Sequence, residues 1–121
     1  MMIKYIKPDF EFKDTRGKLV QLCDKGWTQI NVSKTKKDVK RGGHLHNFTK
    51  EAFFIVNGKI QVKLKKDDSS EKVIVRAGDF FVIEPGIAHS FEFLEDTTMV
   101  ALYDKPIIND SGEKDIIPEE A

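Results

Sequence analysis

Two of the three histidines in this chain, His44 and His46, stand one residue apart, and Glu51 follows five residues after the second. The third histidine, His89, lies 38 residues beyond that glutamate. Residues i and i+2 of a β-strand point to the same side, so both paired imidazoles can face one interior. Three imidazoles and one carboxylate suit a first-row divalent metal, and these donors do not choose among Zn, Mn, Fe, Co and Ni. The residue types alone make these four side chains candidates for one divalent-metal site, with three structural histidines and a surface acid as the alternative.

The elements that would position these residues are short strands. Apolar runs alternate with turns that contain glycine, proline or polar residues, and no segment has a helical period. The runs cover residues 19–22, 29–33, 53–56, 60–64, 73–75, 80–83, 89–93 and 99–103. Such spacing is typical of an antiparallel sandwich or barrel, so the sequence predicts an all-β single domain.

Local patterns add three finer predictions. Asn57-Gly58 stands between two apolar runs, which predicts a tight β-hairpin, and residues 65–72 predict a polar loop. In the pairs Phe53-Phe54 and Phe80-Phe81, alternation predicts one ring in the core and one outside it. We expect a second sheet or a partner subunit to cover the outer rings.

Composition limits the classes of function. The chain has 121 residues, 20 basic and 20 acidic side chains, and 40% hydrophobic residues, which predict one domain with no global attraction to nucleic acid or membranes. We find no secretory signal and no membrane span, which favours the cytoplasm, and the single cysteine, Cys23, excludes an internal disulfide. We expect a barrel over residues 1–105 and a C-terminal arm or flexible tail over residues 106–121.

The wider spacing resembles the two motifs of the cupin superfamily. The first is His44-x-His46-x4-Glu51-x6-Gly58, and the second is Gly78-x6-Pro85-Gly86-x2-His89. The resemblance implies a six- to eight-stranded antiparallel β-barrel of the jelly-roll-like, double-stranded β-helix type. It also implies that His44, His46, Glu51 and His89 bind the metal inside the barrel.

Two arginine-containing segments resemble a narrower group of cupins. Asp14-x-Arg16-Gly17 and Arg41-Gly42 are similar to segments of the small cupins that modify nucleotide-linked sugars. These include 3,4-ketoisomerases, 3,5-epimerases and the cupin domain of capsular-polysaccharide sugar reductases. The resemblance implies an isomerase or epimerase that acts on a 4-keto nucleotide sugar in polysaccharide biosynthesis. Because guanidinium suits bidentate phosphate recognition, Arg16 and Arg41 are candidates for binding the diphosphate, although either could instead fix a loop.

The implied chemistry is removal of a proton beside a ketone and its return at another position, which needs a base and an electrophile. In the related enzymes a histidine of the first motif is the base and a tyrosine can be the acid, which implies His46 and Tyr103 here. A histidine that binds a metal cannot also be a free base. In that case the metal would stabilise the enolate and Tyr103 would carry the proton. Tyr103 could also be a core residue.

Two other classes of function stay open. One is a metal-dependent dioxygenase or decarboxylase, and the other is a cupin that binds a ligand without catalysis. The N-terminal arginine favours the nucleotide-sugar enzyme, because an oxidative cupin has no evident need for it. Small cupins commonly dimerise, so the resemblance implies a homodimer, and the outward apolar positions of the strands are consistent with it.

Overall fold

The computed structural model describes residues 1–121 and consists of strands joined by turns. The twelve strands, numbered in chain order, are β1 (Ile3–Tyr5), β2 (Phe10–Asp14), β3 (Gly17–Gln21), β4 (Gln29–Thr35), β5 (Lys40–Leu45), β6 (Glu51–Asn57), β7 (Lys59–Lys66), β8 (Ser69–Arg76), β9 (Phe80–Ile83), β10 (Ala88–Phe93), β11 (Thr97–Tyr103) and β12 (Ile117–Pro118). The prediction of an all-β protein is therefore confirmed. No helix has the length and apolar character needed to cross a membrane.

Two five-stranded antiparallel sheets form the body of the protein. The first has the order β1-β9-β6-β11-β4, and the second has the order β12-β5-β10-β7-β8. The resemblance implied six to eight strands, and the difference arises because the short β1 and β12 extend the sheets at their edges. The strands β2 and β3 pair only with each other, so they form a separate hairpin, which we call the arm.

The main core lies between the two sheets, where alternate residues of each strand meet. The first sheet contributes Phe53 and Phe81, whose ring centroids are 5.4 Å apart, and the second sheet contributes Phe91 and Phe93. The neighbouring Phe54 and Phe80 point to the opposite face of the first sheet, as period-2 alternation requires. The prediction of one inner and one outer ring in each phenylalanine pair is therefore confirmed.

The outer rings of the first sheet are covered by the chain's own N-terminal connections. Ile6, Leu22, Cys23 and Trp27 pack there against Phe80 and its neighbours. The sequence pattern predicted a second sheet or a partner subunit as the cover. Burial of Cys23 raises the pKa of its thiol, which suits a packing residue rather than a nucleophile.

The predicted hairpin at Asn57-Gly58 is wrong. Strands β6 and β7 do not pair with each other, because β6 pairs with β9 and β11 while β7 pairs with β8 and β10. The two residues instead take the chain from one sheet to the other, and only Gly58 adopts positive φ. The hairpin lies one step later, where β7 and β8 continue through the predicted polar loop to a turn at Asp67-Asp68.

Residues 106–121 run along one side of the barrel and add the short β12 to the second sheet. Ile117 and Pro118 pair with Leu45 and His44 of β5, and the Glu119 amide donates to the Gly43 carbonyl at 2.9 Å. The segment therefore lies directly behind the strand that carries the first histidine.

Candidate functional site

The four candidate metal ligands come together between the two sheets. Their ligand atoms all lie within 4.8 Å of one another. His44 and His89 are cross-strand partners of β5 and β10, His46 follows β5, and Glu51 begins β6 in the opposite sheet. Residues from two sheets and from distant parts of the sequence therefore converge on one point, which we call the histidine–glutamate cluster.

Two glycines, one from the Arg41-Gly42 segment and one from the second motif, fix the approach of these strands. Gly42 has a φ of 92°, and a Cβ there would lie 2.8 Å from the His89 carbonyl oxygen, so only glycine allows β5 and β10 to approach so closely. The Gly86 amide donates to the His46 carbonyl at 2.7 Å, which ties the Pro85-Gly86 turn to the loop after β5. The short motif residues thus set the distances among the histidines.

Hydrogen bonds define how two imidazoles are protonated. His46 Nδ1 lies 2.5 Å from the Asp115 carbonyl oxygen, and His89 Nδ1 lies 3.1 Å from the Ile87 carbonyl oxygen. A carbonyl oxygen only accepts, so both Nδ1 atoms must carry a proton. The Nε2 atoms of both rings therefore face Glu51.

Glu51 Oε1 is 2.6 Å from His46 Nε2 and 3.2 Å from His89 Nε2. Both Glu51 Oε1 and His46 Nε2 are buried, and neither forms an aligned hydrogen bond despite their separation. Neutral imidazole nitrogens and a carboxylate oxygen would all present lone pairs to one another, which is unfavourable without a cation between them. The arrangement therefore accommodates either a proton on a histidine or a divalent metal, and its donor types suit the latter.

Burial and charge shift the pKa values of the cluster. Burial raises the pKa of Glu51, but hydrogen bonding and charge from His46 and His89 outweigh it and lower the value to about 2. Burial lowers the pKa of His46, but the Glu51 carboxylate more than compensates and the net pKa is raised. Burial, together with the neighbouring histidines, lowers the pKa of His44 to about 4. At neutral pH the cluster thus contains a carboxylate and an uncharged His44.

A cavity of about 280 Å³ opens onto this cluster. It is lined by polar and charged side chains from both sheets, namely Asn31, Ser33, Arg41, His44, Glu51, His89 and Tyr103, and by apolar residues of the core. Small-molecule pockets usually measure roughly 300–1,000 Å³, so this cavity suits a sugar ring rather than a whole nucleotide sugar. His46 does not line it.

Tyr103 lies in this cavity as the cross-strand partner of Glu51. Burial and the adjacent Glu51 charge raise the pKa of Tyr103 to about 12, so its hydroxyl keeps its proton at neutral pH. The tyrosine chosen from the sequence as proton donor therefore lies beside the histidine–glutamate cluster.

The two candidate arginines are placed very differently. Arg41 lines the cavity, and its Nε donates to Thr35 Oγ1 at 2.9 Å, so no carboxylate neutralises its guanidinium. Arg16 lies at the tip of the arm with its side chain 82% exposed, and its Nη2 is 2.6 Å from Asp14 Oδ2. Within one chain the structure brings Arg41 to the cluster and leaves Arg16 away from it.

Sequence reasoning missed Asp115. Its carboxylate accepts hydrogen bonds from the amides of Asn47, Phe48 and Thr49, in the loop between His46 and Glu51. No spacing rule connects residue 115 with residue 46, and the polar composition around it favoured a tail. A lone aspartate between lysine and isoleucine carries no local signal for this role.

One known protein family matches most of the chain. The family model described as polysaccharide biosynthesis C-terminal domain matches residues 12–116, which include most of the arm, the cluster and Asp115. Among curated proteins, no sequence matches this one.

Solved structures show the same fold at low sequence identity. A 3,4-ketoisomerase from Helicobacter canadensis has a TM-score of 0.82 at 19% identity, over 98% of this chain and 92% of that chain. A sugar 3,4-ketoisomerase from Thermoanaerobacterium thermosaccharolyticum, solved with TDP, has a TM-score of 0.80 at 18% identity, over 98% and 88%. The rmlC epimerase from Mycobacterium tuberculosis has a TM-score of 0.71 at 19% identity, over 87% and 64%. The expected cupin fold is therefore confirmed.

Proposed function

Because the chain belongs to the polysaccharide biosynthesis C-terminal domain family, we propose that it is an isomerase or epimerase acting on a 4-keto nucleotide sugar. The structures that share its fold include sugar 3,4-ketoisomerases and an epimerase, one of them bound to TDP. The observation that carries the proposal is a sugar-sized cavity in which a carboxylate, two imidazoles and a protonated tyrosine meet an unpaired arginine.

Proton transfer would use groups that line the cavity. Tyr103 holds a proton at neutral pH and is placed to donate it to an enolate oxygen or carbon. His46, the base implied by the resemblance, lies behind the cavity wall, so a proton from the substrate would reach it through Glu51, 2.6 Å away. His44 faces the cavity as an uncharged ring and is the alternative acceptor.

We also propose that His44, His46, Glu51 and His89 hold one divalent transition metal. The support is the buried, unpaired Glu51 oxygen and His46 nitrogen, together with donors that such metals prefer. When bound, a metal would supply a Lewis acid that polarises the sugar ketone. Tyr103 would then be the remaining proton carrier in the cavity, because ligated imidazoles have no free lone pair.

Two measurements on the purified chain test these proposals together. We expect solvent deuterium to enter a 4-keto nucleotide sugar beside its carbonyl group, and elemental analysis to find about one zinc, manganese, iron, cobalt or nickel per chain. Deuterium incorporation by a metal-free chain would remove the metal and keep the isomerase. Bound metal with no incorporation across a panel of 4-keto sugars would favour an oxidative or non-catalytic cupin instead.

Arg41 is expected to bind the diphosphate of the substrate at the mouth of the cavity. Since a charge-assisted hydrogen bond contributes about 1.5–3 kcal/mol, Arg41→Ala should raise the Kd for TDP by about 10- to 100-fold, measured by calorimetry. Arg76→Ala is the matched control, because Arg76 is exposed on β8 and does not line the cavity. An unchanged Kd in the Arg41 variant would remove its role in phosphate binding.

A homodimer would explain the exposed apolar surface and give Arg16 a role. Strand β4 is an open edge beside the cavity, and its outward residues Ile30 and Val32 are 62% and 68% exposed. The arm likewise exposes Phe10 and Phe12. We propose that the arm of one copy covers the β4 face of another, which would bring Arg16 near the partner's cavity. Sedimentation velocity should then show a dimer, and a monomer at micromolar concentration would contradict it.

A further inference from the structure

We infer that Asp115, in the C-terminal segment, is a positioning residue that holds the His46 ring with Nε2 directed into the histidine–glutamate cluster. The inference deepens the proposed function and rests on it only in taking that cluster as the reacting centre. It assigns a task to a segment that contributes no residue to the cavity beside the cluster.

The Asp115 carboxylate organises the loop between two members of the cluster. Its Oδ1 accepts from the Asn47 amide at 2.8 Å, and its Oδ2 accepts from the Phe48 and Thr49 amides at 3.0 and 2.9 Å. Three consecutive amides on one carboxylate form an anion-binding turn, and Thr49 is fully buried, so water cannot replace the carboxylate there.

The main chain of the same residue fixes the ring itself. The Asp115 carbonyl oxygen accepts from His46 Nδ1 at 2.5 Å, which sets the Nδ1–H tautomer and leaves Nε2 for Glu51 or a metal. Hydrogen bonding of the far ring nitrogen to a carbonyl is the usual way in which proteins orient a reactive or metal-binding imidazole. Asp115 therefore holds His46 by its carbonyl and the loop after His46 by its carboxylate.

The neighbouring loop residue is held from the same side of the protein. The Lys50 amide donates to Asp104 Oδ1 at 2.8 Å, and the Asp104 amide donates to the Lys50 carbonyl at 3.1 Å. Every amide from residue 47 to residue 50 thus donates to an aspartate that follows β11. Asp115 differs from Asp104 because it alone also contacts a cluster imidazole.

The test compares Asp115→Ala and Asp115→Asn with Glu113→Ala in the full-length chain. Glu113 is an exposed acid of the same segment and contacts only Asn109. Long-range ¹H–¹⁵N spectra of the histidine rings, recorded without metal at a pH high enough to leave His46 uncharged, report the tautomer of His46. Zinc affinity, measured by chelator competition, reports whether His46 Nε2 is directed into the histidine–glutamate cluster. A role confined to stability would move neither the tautomer nor the affinity of the folded molecules.

Wild type and Glu113→Ala should show the Nδ1–H tautomer of His46. Asp115→Ala should show a mixture of tautomers and a zinc Kd about 10- to 100-fold higher, the usual effect of removing a group that orients a metal-binding histidine. Asp115→Asn keeps part of the acceptor set and should give intermediate values. Wild-type tautomer and affinity in Asp115→Ala would overturn the inference.

Three further outcomes are also decisive. If Asp115→Ala does not melt cooperatively, the Asn variant decides, and wild-type values there overturn the inference. If the wild-type chain binds no zinc, the proposed metal fails while the tautomer still tests Asp115. Failure of deuterium exchange would likewise reject the isomerase without affecting the tautomer measurement.

Discussion

Glu51→Gln is expected to lower the rate of solvent-deuterium incorporation into a 4-keto nucleotide sugar by about 10³-fold, with the barrel still folded. A positioned acid–base group contributes typically 10²- to 10⁴-fold to such a reaction, and Glu51 is the sole carboxylate in the cluster. It contacts both His46 and His89 and lines the cavity. Removing its charge removes the anion that raises the pKa of His46 and, where metal is bound, the anionic ligand.

The fold should survive because glutamine has the same shape and an amide that can donate to a buried imidazole nitrogen. Glu84→Gln is the matched control, since Glu84 is an exposed acid at the end of β9 that lies outside the cavity. Circular dichroism and thermal melts establish folding, and the deuterium assay measures the rate. A Glu51→Gln variant that exchanges deuterium as fast as wild type would exclude Glu51 from the reaction.

The cluster was predictable because the spacing of its residues follows the two sequence motifs. Period-2 geometry puts His44 and His46 in one interior, and the motif glycines mark the turns that bring Glu51 and His89 to them. The apolar runs were likewise found in strands, and the run at residues 80–83 coincides with β9 (Phe80–Ile83). Each strand is determined by neighbouring residues, whereas the cluster was predicted from the spacing of two motifs that lie far apart in the sequence.

What no local pattern could predict depends on contacts between distant segments. Asn57-Gly58 has the chemistry of a hairpin turn, but the strand pairs of β6 and β7 lie in different sheets, which no local rule encodes. Arg16 has the composition of a phosphate ligand, yet within one chain its guanidinium pairs with Asp14 in the arm. The C-terminal segment is polar because its work is done by hydrogen bonds, as at Asp115, and polarity also describes a frayed tail.

Gly58→Ala is expected to be among the most destabilising single substitutions in the chain. A Cβ at this position would overlap Thr97 Oγ1 and lie 2.6 Å from Thr97 Cα and 2.7 Å from the Asp96 carbonyl oxygen. The last two are backbone atoms, so a rotamer change cannot relieve the overlap. The φ of 106° adds the strain of a left-handed backbone, about 1–2 kcal/mol, to about 1–3 kcal/mol for the overlap.

The sum, about 2–5 kcal/mol, is a large part of the 5–15 kcal/mol that stabilises a typical domain. The Gly58 variant should therefore unfold at a markedly lower urea concentration than wild type. Gly78→Ala separates the two causes, because Gly78 also has positive φ, 91°, but no atom lies within 4 Å of its added Cβ. Only the backbone strain should appear there, about 1–2 kcal/mol. Equal losses of unfolding free energy in the two variants would show that the close approach of Thr97 to Gly58 adds nothing to the backbone strain. A larger loss at Gly58 would show that the close approach of Thr97 and Asp96 admits only glycine where the chain crosses from the sheet of Glu51 to the sheet of His44 and His89.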